Sequence, residues 1–564
     1  MSSAPFPRRR AWQRRIWLWS TRLALGSALP WLAVPAPAGA QAASAVDLRL
    51  AGDPAAPEAS AEQAPPAAGG ASDAGSPPSG DDSPAATAPA PPLIRVDPVT
   101  VTATRAEREV LDAPGHVTVI DREAIERSGA QTVADLLRRE AGIFVTNTTT
   151  NPEGATVEAR GFNNGGGNGS RTLVLMDGRR LNEPSSSQTD WAFLPLDQVE
   201  RIEVLRGPAS AVWGDNAIGG VIQILTRHPE EDGVRLHGRA RSGSDDLEAG
   251  SVQLEARQGP FSASLFTDSF TTHGFRDRAD FRRRAGTLDL RFEGERLTLG
   301  LQGGYSSSDR QRPGDLTKDQ IEADREQAEP GSLDDAALAR ERWGQARFEL
   351  RPTEGVELRM LAFHRRRTDR GSTSAPEFVF DLERESDAAG LNSQLRVDHD
   401  LFGRPARTLL GADLLQEDVD NQSFFAQLAP DGAMLFSQQG DDDNRRKLWG
   451  AFLQHELWIR DDLQLALGVR RDRARYEGEN AGSGEGFQVT HNEWAPRAAL
   501  TWRFAEPASI YASWARGFRF PNFDEASGFF GFAPELEPES SETWEVGLKV
   551  RSARANLNVA LYTM

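Results

Sequence analysis

From Val234 onward the chain alternates apolar and polar residues in short runs, the period-two pattern of strands with unlike faces. Val234–Ala240, Thr287–Phe292, Leu297–Leu301, Ala346–Leu350 and Leu463–Val469 carry it most plainly. The joins between runs alternate in length. They are tight near Gln258, Gly294, Thr353, Asp461, Glu506 and Ser552, and between those lie long polar stretches, 307–340, 367–388, 417–446, 476–491 and 517–540. Short turns on one side and long loops on the other predict an antiparallel transmembrane β-barrel. A soluble sandwich has no reason to sort its loops this way. The count is about fifteen strands, an odd number where single-chain bacterial barrels are even.

The chain before Val234 has a different texture. Arg201–Arg206 alternates like a strand buried on one face and stops at Gly207-Pro208, a pair that cannot continue a ladder. Ala209–Trp213 allows one helical turn with Gly214 as its left-handed cap, and Gly219-Gly220 releases a second apolar strand, Val221–Leu225. Pattern alone fits a strand, turn and strand of an α/β core equally well. Upstream, Asp121 caps a helix through Arg127. Thr132 caps another that carries Val133, Leu136 and Leu137 on one face and ends at Gly142. Residues from about Arg105 to Arg227 thus read as one small mixed domain.

Arg8, Arg9, Arg10, Arg14 and Arg15, the apolar run Leu23–Val34 and Ala38-Gly39-Ala40 together read as a secretory signal cleaved before Gln41. The Ala/Pro/Gly/Ser-rich stretch from Ala42 to Pro92 cannot bury a core and is expected to be disordered.

At 564 residues two or more domains are expected, and the absence of cysteine excludes a disulfide scaffold or a thiolate metal site. A net charge of −19 argues against a nucleic-acid partner. Past the N-terminus no apolar run is long enough for a helical membrane span. The mean hydropathy of −0.51 is that of a water-soluble chain, but a barrel hides its apolar face by alternation.

The wording of several segments narrows the reading. VERIEVLRGPASAVWGDNAIGGVIQILTR, from Val199 to Arg227, closely resembles the plug signature IERIEVLRGPxSxxYGxxAxGGVINIxT of TonB-dependent outer-membrane receptors, with Trp213 for the usual Tyr and Gln223 for the usual Asn. Arg160-Gly161-Phe162 and Leu173–Gly178 match further plug signatures in the expected order. Tyr511–Pro521 with Glu525 resembles the family's YxxxxxGFRxPxxxE segment, and Pro534–Lys549 its LxPExxxxYExGxK strand. The resemblance runs from Val96 to the end of the sequence. It implies a plug inside a barrel of twenty-two strands, of which about fifteen are present, an unpaired edge near Ala555–Tyr562, and hence a chain expected to be incomplete. The final Leu561-Tyr562-Thr563-Met564 also lacks the family's terminal aromatic residue. The organisation expected is a signal at 1–40, a linker at 41–92, a TonB-box region at 93–104, a plug at 105–228 and a partial barrel at 229–564.

Asp97, Pro98, Val99, Thr100, Val101, Thr102 and Ala103 resemble the TonB box, which the energy-transducing partner grasps by strand addition; a first plug strand is the other reading. The loops Asn163–Ser170 and Asn182–Trp191 correspond to plug apices that touch ligand. On that ground Asn163, Asn164, Gln188 and Trp191 are candidate contacts, the alternative being solvated loop. The Gly-rich loop lacks the framing residues of a phosphate cradle. Arg519, Phe529 and Phe530, in a loop that also holds Phe520, Phe523 and Phe532, are further candidates, since exposed apolar clusters mark binding sites; packing of the loop is the alternative. By motif position, Arg160 and Arg206 are expected to latch the plug onto barrel glutamates, with Glu545 as one partner.

The eight histidines form no spaced metal pair and no catalytic constellation emerges, so neither an enzyme nor a resident cofactor is expected. The resemblance implies a monomeric receptor in outer-membrane lipid, driven by TonB–ExbB–ExbD, that takes up an extracellular metal complex. A ferric siderophore is the first expectation and cobalamin or another large nutrient the second. Haem ranks lower, because no histidine lies near the Phe518–Pro521 motif in sequence. A passive porin would lack the plug, and a secreted β-rich enzyme would need neither the box nor the sorted loops.

Overall fold

The computed structural model describes residues 100–102, 105, 108–147, 155–162, 170–332, 335–375, 377–430, 432–480, 484–528, 531–532, 535–551 and 556–564. The expected signal and linker, together with Asp97, Pro98, Val99, Ala103, Asn163, Asn164, Phe529 and Phe530, lie outside them.

Local chemistry sets the helix starts of the inner domain. Asp121 accepts from Ala124 N at 2.8 Å and starts helix Arg122–Ser128, which closes on left-handed Gly129. Thr132 Oγ1 accepts from Asp135 N at 3.1 Å and starts helix Val133–Leu137. This helix stops before Gly142, whose φ of 73° instead turns the chain into strand Ile143–Asn147. A five-stranded mixed sheet follows in the order His116–Ile120, Val199–Arg206, Gly220–Thr226, Thr172–Met176, Arg179–Arg180, with the third and fourth parallel. Both faces are covered. Ile202, Val204, Ile222 and Ile224 pack toward the helices, while Val117, Leu173, Leu205 and Val221 pack on the other side. Two-sided burial explains why the parallel pair, Thr172–Met176 and Gly220–Thr226, is apolar nearly throughout.

Two glycines are dictated by space. A Cβ on Gly220 would stand 2.4 Å from Leu205 O, and one on Gly207, at φ 94°, would stand 2.7 Å from the Arg160 guanidinium. Helix Ser210–Trp213 forms where one turn is expected. Gly214 has a positive φ of 77° but a ψ of −137°, so it leaves the helix without the left-handed cap.

Beyond the inner domain, the short pair Ser527–Gly528 and Gly531–Phe532 stands apart, and fifteen strands from Gly233–Gly243 to Asn556–Thr563 form one antiparallel sheet in sequence order. Its faces are inverted relative to a soluble protein. In Leu247–Gln258, Ser251, Gln253 and Glu255 are buried while Val252 and Leu254 are exposed. The apolar outer face continues across strands, as where Leu453 lies beside Leu410 and Val469, all three exposed. This is the lipid-facing band of a transmembrane barrel. Among the described residues the sheet is open: each edge strand is paired on one side only.

Three of the five long polar stretches, 367–388, 417–446 and 476–491, are largely strand. Val356–Ala375 and Phe378–Leu401 span the expected loop at 367–388, and Arg404–Leu428 with Met434–Arg460 spans most of 417–446. At about 3.3 Å per residue the 27 residues of Met434–Arg460 reach roughly 90 Å, whereas about 9–11 residues cross a bilayer. Beyond lipid the outer face no longer needs to be apolar, so the alternation fades while the ladder continues.

Leu453→Arg places a charge in the outer apolar band and is expected to cost about 2–4 kcal/mol if the site lies near the bilayer midplane. Gln454→Ala, one residue along on the inner face, should leave membrane insertion near that of the parent. The fraction recovered in isolated outer membranes checks the contrast.

Candidate functional site

The inner domain sits against the polar face of the sheet, and charged pairs join them. Strands alternate, so inward positions two apart present side chains to the same surface. Arg470 and Asp472 are such a pair, joined at 2.6 Å, and Arg470 also meets Asp413 at 2.6 Å. Asp413 in turn takes both terminal nitrogens of Arg105, at 3.0 and 2.7 Å. The Arg105 guanidinium lies 4.4 Å from the Trp213 ring and 4.8 Å from that of Phe452. Arg108 pairs with buried Glu456 at 2.5 Å. These contacts anchor the chain just after the expected TonB box. Within the box, Thr100–Val101 pairs with Arg108–Glu109, and Thr102 donates to Glu203 Oε2 through N at 2.7 Å and Oγ1 at 3.1 Å.

A second junction centres on Asp215, just beyond Gly214. It accepts from Arg180 at 3.2 Å and from Phe520 N at 2.9 Å, and lies 3.6 Å from Arg446. Burial works to raise the Asp215 carboxyl pKa, but Arg446 and Arg180 outweigh it and hold the group below the usual carboxylate range. Arg446 also bonds Glu417, and both Arg446 and the Tyr476 hydroxyl donate to Pro521 O, at 3.3 and 2.6 Å. The motif around Phe518–Pro521 is thereby tied to the inner domain.

Arg160 pairs with Glu545, which also accepts from the Tyr511 hydroxyl, and the Arg160 guanidinium lies 4.2 Å from the Tyr562 ring. Four residues on from Glu545, Lys549 Nζ donates to Val110 O at 2.8 Å and to Ala113 O. Among the described residues Arg206 forms no ion pair with a barrel carboxylate. Its strand ends beside the Glu140–Gly142 turn, where it bonds Thr118 Oγ1 at 2.6 Å and lies 3.7 Å from Glu140.

The candidate ligand residues separate. Trp191 is only 2 % exposed and belongs to the inner-domain core, because the segment around it folds back as a short 3-10 turn capped by Asp190. Gln188 is half-buried. Arg519 is buried between Glu525 and Glu539, at 2.8 and 2.7 Å, and Glu539 also holds Arg171 at 2.7 Å. Phe520 and Phe523 are buried beside Phe518 and Tyr476, so for these two the packing alternative holds. His491 stacks on Phe520 with ring centroids 6.4 Å apart. A histidine distant in sequence is near in space, and the argument against haem loses its basis. Among the described residues no cluster of His, Asp and Glu is arranged for a metal ion.

Sequence reasoning missed Arg105, Asp413, Glu456, Asp215 and Arg446. The available signal was charge at inward positions of the period-two pattern, as with Arg470 and Asp472.

Family models place this architecture among known proteins. The TonB-dependent receptor plug domain matches residues 109–221, and the TonB-dependent receptor-like β-barrel matches 235–564. Among solved structures, the unliganded ferric citrate transporter FecA aligns over 80 % of this chain and 70 % of its own, at 19 % identity and a TM-score of 0.71. The siderophore receptor PiuA from Acinetobacter baumannii aligns over 83 % and 74 %, at 18 % identity and 0.70. The ferric-catecholate import receptor Fiu from E. coli K12 aligns over 81 % and 75 %, at 16 % identity and 0.63. At these identities the likeness is one of fold.

Removing one member of a buried ion pair costs on the order of 3–5 kcal/mol. Asp413→Ala is expected to release the segment around Arg105, so a spin label at Thr100 should pass from immobilised to mobile. Glu545→Ala should leave that label unchanged and instead raise antibiotic leakage through the outer membrane.

Proposed function

Because this chain belongs to the TonB-dependent receptor family of the Gram-negative outer membrane, we propose that it actively imports a ferric siderophore. The observation that carries this reading is the folded domain seated across the polar face of the sheet by buried ion pairs. A passive porin has no use for such a domain. The family consists of receptors and transporters, and nothing in the site calls for a covalent step on the ligand.

In this reading the residues of the long-loop side and the outward face of the plug receive the chelate. The residues 97–103 are the TonB box, and strand addition by TonB there needs little more than free backbone donors and acceptors. ExbB and ExbD supply the force through TonB, and the receptor works as a monomer in outer-membrane lipid. The anchors at Arg105 and Arg108 lie directly between the box and the plug sheet, where a pull would act first. The structural neighbours named for ferric citrate, a siderophore and a ferric catecholate support an iron chelate as cargo over cobalamin.

Val99→Pro removes a backbone donor and blocks strand addition. It is expected to abolish TonB-driven uptake and leave surface binding intact. Growth rescue of an iron-starved host by a panel of iron chelates, with cobalamin as the control for the alternative cargo, checks both parts. Uptake retained by the proline variant would overturn the box assignment.

A further inference from the structure

The outer face of the sheet carries a charge pattern of its own. Strands Met434–Arg460, Leu463–Asn480 and Gly486–Ala505 are neighbours, and Leu453, Leu467 and Val469 on them face lipid. In steps of two toward the long-loop side, the same face presents Trp449, Lys447 and Arg445 on the first strand. On the second it presents Arg471, Arg473 and Arg475, and all six side chains are exposed. Register sets their depth. Arg473 stands opposite Trp449, and Arg471 opposite Trp494, whose ring lies 5.1 Å from the Arg471 guanidinium. On the third strand the interval from Trp494 to Trp502 is roughly 26 Å, or about 20 Å of height at the usual tilt. An outward apolar band is about 25 Å tall and bounded by aromatic girdles, so these two tryptophans mark its limits. Lys447, Arg471 and Arg473 lie at its long-loop rim, the depth of lipid headgroups.

Charge balance changes with height. Farther from lipid on the same face the cations are paired, Arg445 with Asp418, Arg366 with Glu385, Arg370 with Glu383, and Arg475 with Glu477 at 2.8 Å. At the rim they are not. Among the described residues no carboxylate lies within ion-pair distance of Lys447, Arg471 or Arg473. Lys447 instead faces Arg475 directly across the ladder, and Arg471, Arg473 and Arg475 follow one another along a single face. Like charges set opposite each other destabilise a sheet, so this cluster calls for an anion from outside the chain. At headgroup depth the anions at hand are lipid phosphates, and each Arg or Lys beside them adds to the attraction. Guanidinium forks hold phosphate in two-point geometry, and an ammonium holds it as a point charge. Arg471 and Arg473 stand roughly 6.6 Å apart along the strand, and Lys447 lies diagonally across from Arg473, about 7–8 Å away. That spread suits a head bearing more than one phosphate.

We propose that Lys447, Arg471 and Arg473 form a docking site on the lipid-facing wall for a multiply phosphorylated glycolipid of the outer leaflet. The three cations take its phosphates, and the exposed Leu453, Leu467 and Val469 next to them offer its acyl chains an apolar surface. A water-soluble acidic protein fits the place poorly, because the cluster adjoins residues that belong in lipid. The site is separate from the plug. Arg470 and Asp472, which alternate with these arginines on the same strand, turn the other way and pair in the interior. One strand thus holds the inner domain with one face and a lipid head with the other.

The test is displacement of a fluorescent lipid A from the purified full chain in dodecyl maltoside. The competitors are bisphosphorylated lipid A, its dephosphorylated form, phosphatidylglycerol and inorganic phosphate. Saturable, salt-sensitive binding of the bisphosphorylated lipid is expected, weakened about tenfold or more in the triple variant K447Q/R471Q/R473Q. Asn492→Glu sets a carboxylate opposite Arg473 without deleting a cation. It should weaken binding as well, and it guards against loss of folding in the triple variant. Arg366→Gln, which removes a cation already paired with Glu385, should bind as the parent does. Equal competition by the dephosphorylated lipid or by phosphatidylglycerol would overturn the assignment, as would equal weakening by Arg366→Gln. Inorganic phosphate competing at the same concentration as the lipid would reduce the cluster to a bare anion site and overturn the lipid as occupant. Binding unchanged in both the triple variant and Asn492→Glu, or no saturable binding at all, would overturn the site itself.

Discussion

A charge taken from water into the wall between two packed layers needs a partner there, and this requirement governs the whole interior. The sheet turns its polar face inward, so the inner domain meets not an oily core but rows of carboxylates and guanidiniums. Arg105, Arg108, Arg160 and Arg179 from one side face Asp413, Glu456, Glu545 and Glu341 on the other. Arg179 also lies 4.0 Å from the Trp343 ring. These pairs add little net stability over an apolar wall of the same shape, but each one is costly to break singly. They specify how the domain is seated. They also explain how a chain with a mean hydropathy of −0.51 can belong in a membrane, since much of its charge is turned inward.

The elements themselves were legible because their causes are local. Asp121 and Thr132 announce helices through side-chain oxygens placed for the first free backbone donors, and the fifteen strands announce themselves by alternation between lipid and lumen. The ends of the strands were not legible. Apolar–polar alternation requires an apolar outer face, and in 367–388 and 417–446 the sequence is largely polar on both faces while the hydrogen-bond ladder persists. The site was legible only in part, for a related reason. A motif position brings Glu545 to Arg160, whereas the pairing of Arg105 with Asp413 crosses 308 residues and depends on which strands stand opposite the inner domain. Trp191 shows the opposite error. A polar loop ending in an aromatic looks exposed, but the ring folds back into the core it borders.

The manner of attachment bears on how force could be transmitted. The segment before His116 is held to the barrel by Arg105, by Arg108, by Glu109 against Arg503 at 3.0 Å, and by Ser509 and Lys549 donating to backbone carbonyls. It contributes no strand to the five-stranded sheet. The sheet, by contrast, is locked by continuous ladders and by apolar packing on both faces. A pull from the N-terminal side therefore meets side-chain anchors in sequence before it meets cooperative structure. Breaking them one at a time costs far less at any step than breaking the sheet, and water entering each vacated site solvates the freed charges. The segment can thus be drawn out while the core stays folded. Trp213, stacked on Arg105 and two residues before Asp215, places the first of those anchors beside the junction that holds Phe520 and, through Arg446, Pro521. The segment around Arg105 and the motif around Phe520 thus meet within one short helix and the glycine that follows it, which is where a pull would be felt under the proposed import.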